Sequence, residues 1–219
     1  MRIDGGKEKP MNRDTIEKAV AVTNAQLRRN NQALRKNLKR LVECSAENEK
    51  AQERMDVFEA LIFEADSLKE MFDSMITQGR RIFEIQAITA ALDSDFGRFY
   101  PEEYKKEGKS VFLEAGNVVF APAATIAAHF QDPPQVALRG NLREGNGFFF
   151  PSGASRKIRS EALAPLLAPD GALTGAICFG SASAERFLEG FGARFLDRLA
   201  RLVSLKMEMF RVEASLRKL

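Results

Sequence analysis

The stretch that decides the fold is Arg159-Ser160-Glu161-Ala162-Leu163-Ala164-Pro165-Leu166-Leu167, then Ala168-Pro169-Asp170-Gly171, then Ala172-Leu173-Thr174-Gly175-Ala176-Ile177-Cys178-Phe179-Gly180. Two mostly apolar runs flank one turn signal. Pro presets φ at the second position of a turn, and Gly accepts a positive φ at its end. The stretch therefore predicts a β-hairpin. Working outward, 85–92 is β-branched and apolar and suits a buried strand. Pieces around 111–113, 118–121 and 136–142 read as further strands, and 125–130 as one short helix.

Punctuation residues separate this middle from both ends. Thirteen of fifteen Gly and seven of eight Pro lie between 79 and 192. Gly and Pro cost a helix interior about 1 and 3 kcal/mol relative to Ala, so their absence at the ends permits long helices. The first helix is expected to break near Asp66. Ser67-Leu68-Lys69-Glu70 has the form of a capping box, and Leu68, Phe72, Met75, Ile76, Gly79, Ile82 and Phe83 give the next helix an apolar face. A last helix is expected over 189–216, with Phe191, Phe195, Leu199, Leu202 and Met209 as its apolar stripe. Helix, helix, strands, hairpin, helix is most economically an α+β arrangement, an antiparallel sheet covered by segregated helices.

The first helix carries a seven-residue repeat. Val20, Leu27, Leu34, Leu41 and Met55 fall at d, with Asn48 and Ile62 in the same row; Asn24, Asn31 and Leu38 fall at a. The a row is mostly polar, which costs stability but fixes register, commonly in a parallel dimer. The expected dimer seam is thus Val20, Leu27, Leu34, Leu38, Leu41 and Met55. A helix over 12–65 would be roughly 80 Å long at 1.5 Å per residue, too long to pack within one small domain. The alternative is one amphipathic helix folded back on its own domain.

Charge is uneven along that helix. The whole chain is only +3, but 18–42 holds seven basic residues and no acidic one. From 43 to 73 there are ten acidic and three basic residues. Arg28, Arg29, Arg35, Lys36, Lys39 and Arg40 form a basic band that could meet phosphates without reading sequence. Solvated helix faces are the plainer account, and nucleic acid is not the expected partner.

Composition excludes several chemistries. One His cannot build a multi-His metal site, and Cys44 and Cys178 are too far apart in sequence for a zinc knuckle or a redox pair. No nucleotide-binding glycine motif, HExxH or catalytic nucleophile motif occurs. The N-terminus lacks the apolar core of a signal peptide, and the longest nearly apolar run, 118–128, is too short to span a membrane. A soluble, cytoplasmic protein that is not an enzyme, needs no metal and requires no cofactor is the expectation.

Certain residues carry a family resemblance. The tract 160–166 leads to Thr174-Gly175-Ala176-Ile177-Cys178-Phe179-Gly180-Ser181, then Arg186-Phe187, Gly190-Phe191-Gly192, Phe195-Leu196 and Leu199-Ala200; upstream stands Glu47-Asn48-Glu49. These resemble the bacterial domain-of-unknown-function 484 family over roughly 30–206, most closely over 138–205, while 93–135 does not align. The resemblance implies a GAF-like fold: a central antiparallel sheet, a helical layer that dimerises on one side and a ligand-pocket face on the other. GAF folds bind cyclic nucleotides, tetrapyrroles or small metabolites, or nothing known. The family implies no established activity.

On that pocket face the candidate residues are His129, Arg139, Asn141, Arg143, Phe148, Phe150 and, beside them, Phe149 and Ser155. A cation beside an aromatic wall can hold an anionic or planar ligand; equally, the three Phe can plug the pocket as core. The basic cluster 156–159 reads as a solvated loop, Cys178 as a small buried apolar residue, and Cys44 as a seam neighbour. Asp93, Asp95, Glu102 and Glu103 read as a solvated acidic loop. The expected organisation is a disordered tail at 1–11, a long helix or coiled coil at 12–66, a GAF-like domain at 67–206 and a helical extension at 207–219. The expected role is a homodimeric sensory or regulatory module, with a small ligand and a protein partner unidentified. The alternatives are a structural dimerisation scaffold with a filled pocket and a weak nonspecific nucleic-acid binder.

Overall fold

A 52-residue helix, α1 (Arg13–Glu64), opens the computed structural model, which describes residues 13–99, 117–188 and 192–216. The expected tail at 1–11, the expected strand at 111–113, and Glu102, Glu103 and Phe191 lie outside the described residues. The chain divides into two units, Met1–Glu53 and Arg54–Leu219.

In the first unit α1 has no Gly or Pro to interrupt it, and every described side chain from 21 to 53 is exposed. Leu27, Leu34, Leu38 and Leu41 are 54–67% exposed. Arg28, Arg29, Arg35, Lys36, Lys39 and Arg40 face water too, with Lys39 only 3.8 Å from Glu43 one turn on.

The second unit holds the rest of the elements. These are α2 (Leu68–Ile82), β1 (Ala87–Asp93), β2 (Val118–Ala121), α3 (Ala123–Ala127), β3 (Ala137–Arg139), α4 (Ser152–Ser155), β4 (Ser160–Leu167), β5 (Leu173–Ser181) and α5 (Ala193–Leu216). A 3-10 turn, Ser94–Phe99, follows β1. The sheet order is β2-β1-β5-β4-β3. The fold is α+β with flanking helices, as expected; the departure is at one edge, where β2 runs parallel to β1 and makes the sheet mixed.

The hairpin forms where the turn signal lies. Gly171 takes φ +86 and donates to the Ala168 carbonyl at 2.9 Å, while the Ala172 amide donates to Asp170 Oδ1 at 3.0 Å. The capping box forms with one shift. Ser67 Oγ accepts from the Glu70 amide at 3.2 Å, and Glu70 Oε2 accepts from the amide of Asp66, one residue before the cap.

One sheet face carries Ile88, Ala90, Leu92, Ala162, Ala164, Ile177 and Phe179 and packs on helices. α2 supplies Leu68, Met71, Phe72, Met75 and Ile76; α5 supplies Leu199, Val203 and Met207. The last turns of α1 supply Met55, Phe58 and Ile62. Each such side chain, fully buried, contributes roughly 1.5–3 kcal/mol. The Leu167 amide ties β4 to α5 by donating to Ser204 Oγ at 3.1 Å, and Arg198 on α5 pairs with Glu59 at 2.8 Å.

Three sequence expectations change here. Met55 is 1% exposed and lies in this chain's own core, so it is no seam residue. The second unit takes in α1 from Arg54, and α5 runs from Ala193 to Leu216. The buried stripe of α5 is Leu196, Leu199, Ala200, Val203 and Met207, which leaves Met209 exposed. β3 is three residues, shorter than 136–142: Asn141 takes φ +54 and interrupts the ladder, although the Leu142 amide still donates to the Arg159 carbonyl at 2.8 Å.

Candidate functional site

The opposite sheet face is built mostly of small residues. Alternation along the strands puts Ala87, Thr89 and Ala91 of β1 beside Gly180, Cys178 and Ala176 of β5, then Glu161 and Leu163 of β4, then Arg139 and Ala137 of β3. Over them lies the segment 142–158 together with α3. Ile126, Phe149, Phe150 and Ile158 are all buried against this face. Gly180 is what lets them sit so low: a Cβ there would lie 2.5 Å from Ile158 Cδ1 and 3.1 Å from Phe150 Cε1.

One polar network pins the segment down. Glu161, almost fully buried, accepts from Arg139 Nη1 at 3.1 Å and from the Asn146 amide at 2.8 Å. Arg139 Nη2 donates to the His129 carbonyl at 3.0 Å. The Asn146 side chain reaches His129 Nδ1 at 3.2 Å and accepts from the Phe148 amide at 2.9 Å. The His129 ring stacks on Phe148 with centroids 4.8 Å apart and meets Phe149 at the same distance, tilted. Burial lowers the His129 pKa, the Arg139 charge lowers it further, and the Glu161 charge opposes both. The imidazole is accordingly held neutral.

The expected site residues are thus partly gathered. His129, Arg139 and Phe148 meet, and Phe149 and Phe150 fill the face. Asn141 and Arg143 do not join them: both are exposed, and Arg143 offers its carbonyl to Arg159 Nη1 at 2.7 Å. Ser155 is buried and donates to the Gly145 carbonyl at 2.7 Å. Glu161 and Asn146 went unforeseen. The signal for Glu161 was its being the one acid in an otherwise apolar strand; for Asn146 it was the Gly145-Asn146-Gly147 turn.

Among the described residues the arrangement has no free cation at its centre, because Arg139 pairs with Glu161. Cys178 is buried, and burial first, then the Glu161 charge, pushes its thiol well up; a thiolate nucleophile is not available there. The Thr89 hydroxyl makes no ordinary hydrogen bond, with the Cys178 thiol across the strand pair as its weak neighbour. Asp93 Oδ1 accepts from the Asp95 amide at 3.1 Å in a local turn. Among the described residues no group of three or more His, Cys, Asp or Glu could hold a metal ion. Among them, too, no helix is long and apolar enough to cross a membrane.

A five-stranded sheet with helices on one face and a loop-covered opposite face is the architecture of a GAF-like domain. Solved structures agree in fold. The A. aeolicus nlh2 GAF domain in an inactive state is 13% identical with a TM-score of 0.51, covering 74% of this chain and 98% of that one. The GAF domain of an Acinetobacter phosphoenolpyruvate-protein phosphotransferase is 12% identical with a TM-score of 0.50, over 75% and 96%. Free methionine-R-sulfoxide reductase from Neisseria meningitidis, solved with its substrate, is 14% identical with a TM-score of 0.50, over 75% and 93%. The chain belongs to the family described as "Protein of unknown function, DUF484", which it matches over residues 13–212. That match spans the stretch 93–135, which sequence motifs alone left unaligned. No curated protein matches the sequence.

Proposed function

We propose that this chain is a non-catalytic regulatory module of GAF type that works as a homodimer and passes a signal to a protein partner. One observation carries the proposal. Leu27, Leu34, Leu38 and Leu41 repeat along α1 and are more than half exposed in the single chain. A leucine row of that length left in water is a surface that a second helix covers. Signalling then requires two states of the dimer to which a ligand or partner binds unequally. The test is solution mass by light scattering on the full chain. The dimer is expected for the native protein, and Leu27, Leu34 and Leu41 changed together to Ser should give a monomer with unchanged helical content. A native chain that is monomeric at tens of micromolar would end the proposal.

A small ligand on the loop-covered face is the second reading. The buried Thr89 hydroxyl without an ordinary partner, set among Ala87, Ala91 and Ala176, favours it. A ligand there has to displace Phe149 and Phe150. Saturable thermal stabilisation by one compound in a panel of nucleotides and common metabolites is expected under this reading; a flat response across the panel counts against it.

A further inference from the structure

The cations of α1 gain meaning from their phase on one unbroken helix, which their count does not show. At about 100° per residue, Arg28, Arg29, Arg35, Lys36, Lys39 and Arg40 fall within about 140° of arc and about 18 Å of axis. Leu27, Leu34, Leu38 and Leu41 fall within about 60° on the opposite side. All six cations are exposed. Lys39 has Glu43 at 3.8 Å; the other five have no ion-pair partner among the described residues. A second chain seamed on the leucines leaves them unpaired as well. Arg28 and Arg35 then stand at e, and the g positions that face them across a parallel seam, Thr23 and Asn30, carry no charge. A face that merely has to be wet gains by setting acids four residues from bases. Here Arg35 and Lys39, and Lys36 and Arg40, set like charges four apart, which weakens a helix. An outside polyanion relieves that repulsion.

The rest of the helix decides which polyanion fits. The acidic half of a second α1 is unsuited: laid antiparallel, the leucines would meet Ser45, Asn48 and Gln52. An anionic membrane calls for a broad apolar face with aromatic anchors. This leucine stripe is narrow, Asn24 and Asn31 stand beside it in the a row, and no Phe, Tyr or Trp precedes Phe58. Single-stranded nucleic acid is held by bases stacked on aromatic side chains, which α1 lacks over the same stretch. A duplex backbone asks only for cations along a line. It carries one charge per about 1.7 Å, so about 18 Å of helix runs past about ten phosphates. Arg28, Arg29, Arg35 and Arg40 suit them further, because the guanidinium fork matches a phosphate.

We propose that this face of α1 binds the phosphate backbone of duplex DNA without reading its sequence. The contact goes beyond the regulatory role proposed above and needs no dimer. The test is fluorescence anisotropy of the full chain with a labelled duplex of about 30 base pairs. Affinity should fall on the order of 10²- to 10³-fold between 50 and 200 mM salt, as release of counterions from four to six phosphates requires. Arg28, Arg29, Arg35 and Arg40 changed together to Gln should weaken binding at 50 mM salt at least tenfold and flatten the salt dependence. Circular dichroism should show an unchanged helix, since Gln forms helix about as well as Arg. A control removes the same charge from exposed positions outside α1, with Arg143, Arg156, Lys157 and Arg194 changed to Gln. It should bind within about twofold of the native chain. A duplex left unbound at 50 mM salt, or a control that loses as much as the α1 variant, would overturn the proposal. So would tighter binding to phosphatidylserine vesicles or to polyglutamate at equal concentration of negative charge, which would make the partner a membrane or an acidic protein.

Discussion

Arg139 and Glu161 face each other across β3 and β4, with Nη1 3.1 Å from Oε1, and the Glu161 side chain is only 2% exposed. Removing the guanidinium strands a buried carboxylate, whereas amidating the carboxylate leaves an oxygen that still accepts from Asn146. Arg139→Ala is therefore expected to cost about 2–3 kcal/mol, reduced from the fully buried case because Arg139 is partly exposed. Glu161→Gln should cost about 1 kcal/mol. Urea denaturation of the two variants checks the order.

Gly180 is a tight position, since Ile158 and Phe150 occupy the space where a side chain would begin. Gly180→Ala should destabilise by about 1–3 kcal/mol through overpacking. Phe150→Ala leaves a cavity on the same face and should cost about 3–5 kcal/mol. In the double variant the new methyl partly occupies the space the ring vacates, so the combined loss should be smaller than the sum. Thermal melts of the two single variants and the double variant test this coupling.

Ser67 closes the N-terminus of α2 by accepting from the Glu70 amide. Ser67→Ala should cost about 1 kcal/mol, and Ser67→Asp almost nothing, because aspartate caps equally well. Chemical denaturation resolves differences of this size.

His129 is the single histidine of the chain, and its pKa is lowered in the fold. The unfolded chain therefore binds this proton more readily than the native one does. The stability this neutral ring contributes is complete above the unfolded pKa near 6.5 and is lost as pH falls toward the lower folded value. His129→Phe keeps a ring against Phe148 and removes the titration. The native protein should lose stability relative to this variant between pH 7.5 and 5, as measured by melting temperature across that range.

Much of this architecture was legible because local chemistry and tertiary role coincide. The turn Ala168-Pro169-Asp170-Gly171, the Ser67 cap and the Gly- and Pro-free ends each act within a few residues. Met55 shows where the reading fails. It falls in the d row of Leu27, Leu34 and Leu41, one heptad beyond Asn48, and a seven-residue spacing serves an intermolecular seam and a helix packed on its own sheet equally well. Nothing in the spacing marks the change of partner. The stripe on α5 misled in part: Leu199 is buried as read, but Val203 and Met207, not Leu202 and Met209, continue the buried row.

The outer face was half legible for a different reason. His129, Arg139 and the three Phe are chemically conspicuous, so they drew attention. Glu161 and Asn146 bind through pairing across strands and a main-chain amide, and such partners follow from register, which only the assembled sheet fixes. Asn141 and Arg143 were grouped with Arg139 by nearness in sequence, but the turn after β3 sends them into water.

The parallel edge has a kinetic consequence. β4 and β5 are joined by a tight turn and β5 is paired on both sides, whereas β2 is a four-residue strand at the sheet edge, paired among the described residues with β1 alone. A short strand held on one side opens by local fluctuation more readily than one held on both. Val118 to Ala121 should thus be the first strand to exchange its amide hydrogens, while the hairpin keeps its protection to the last.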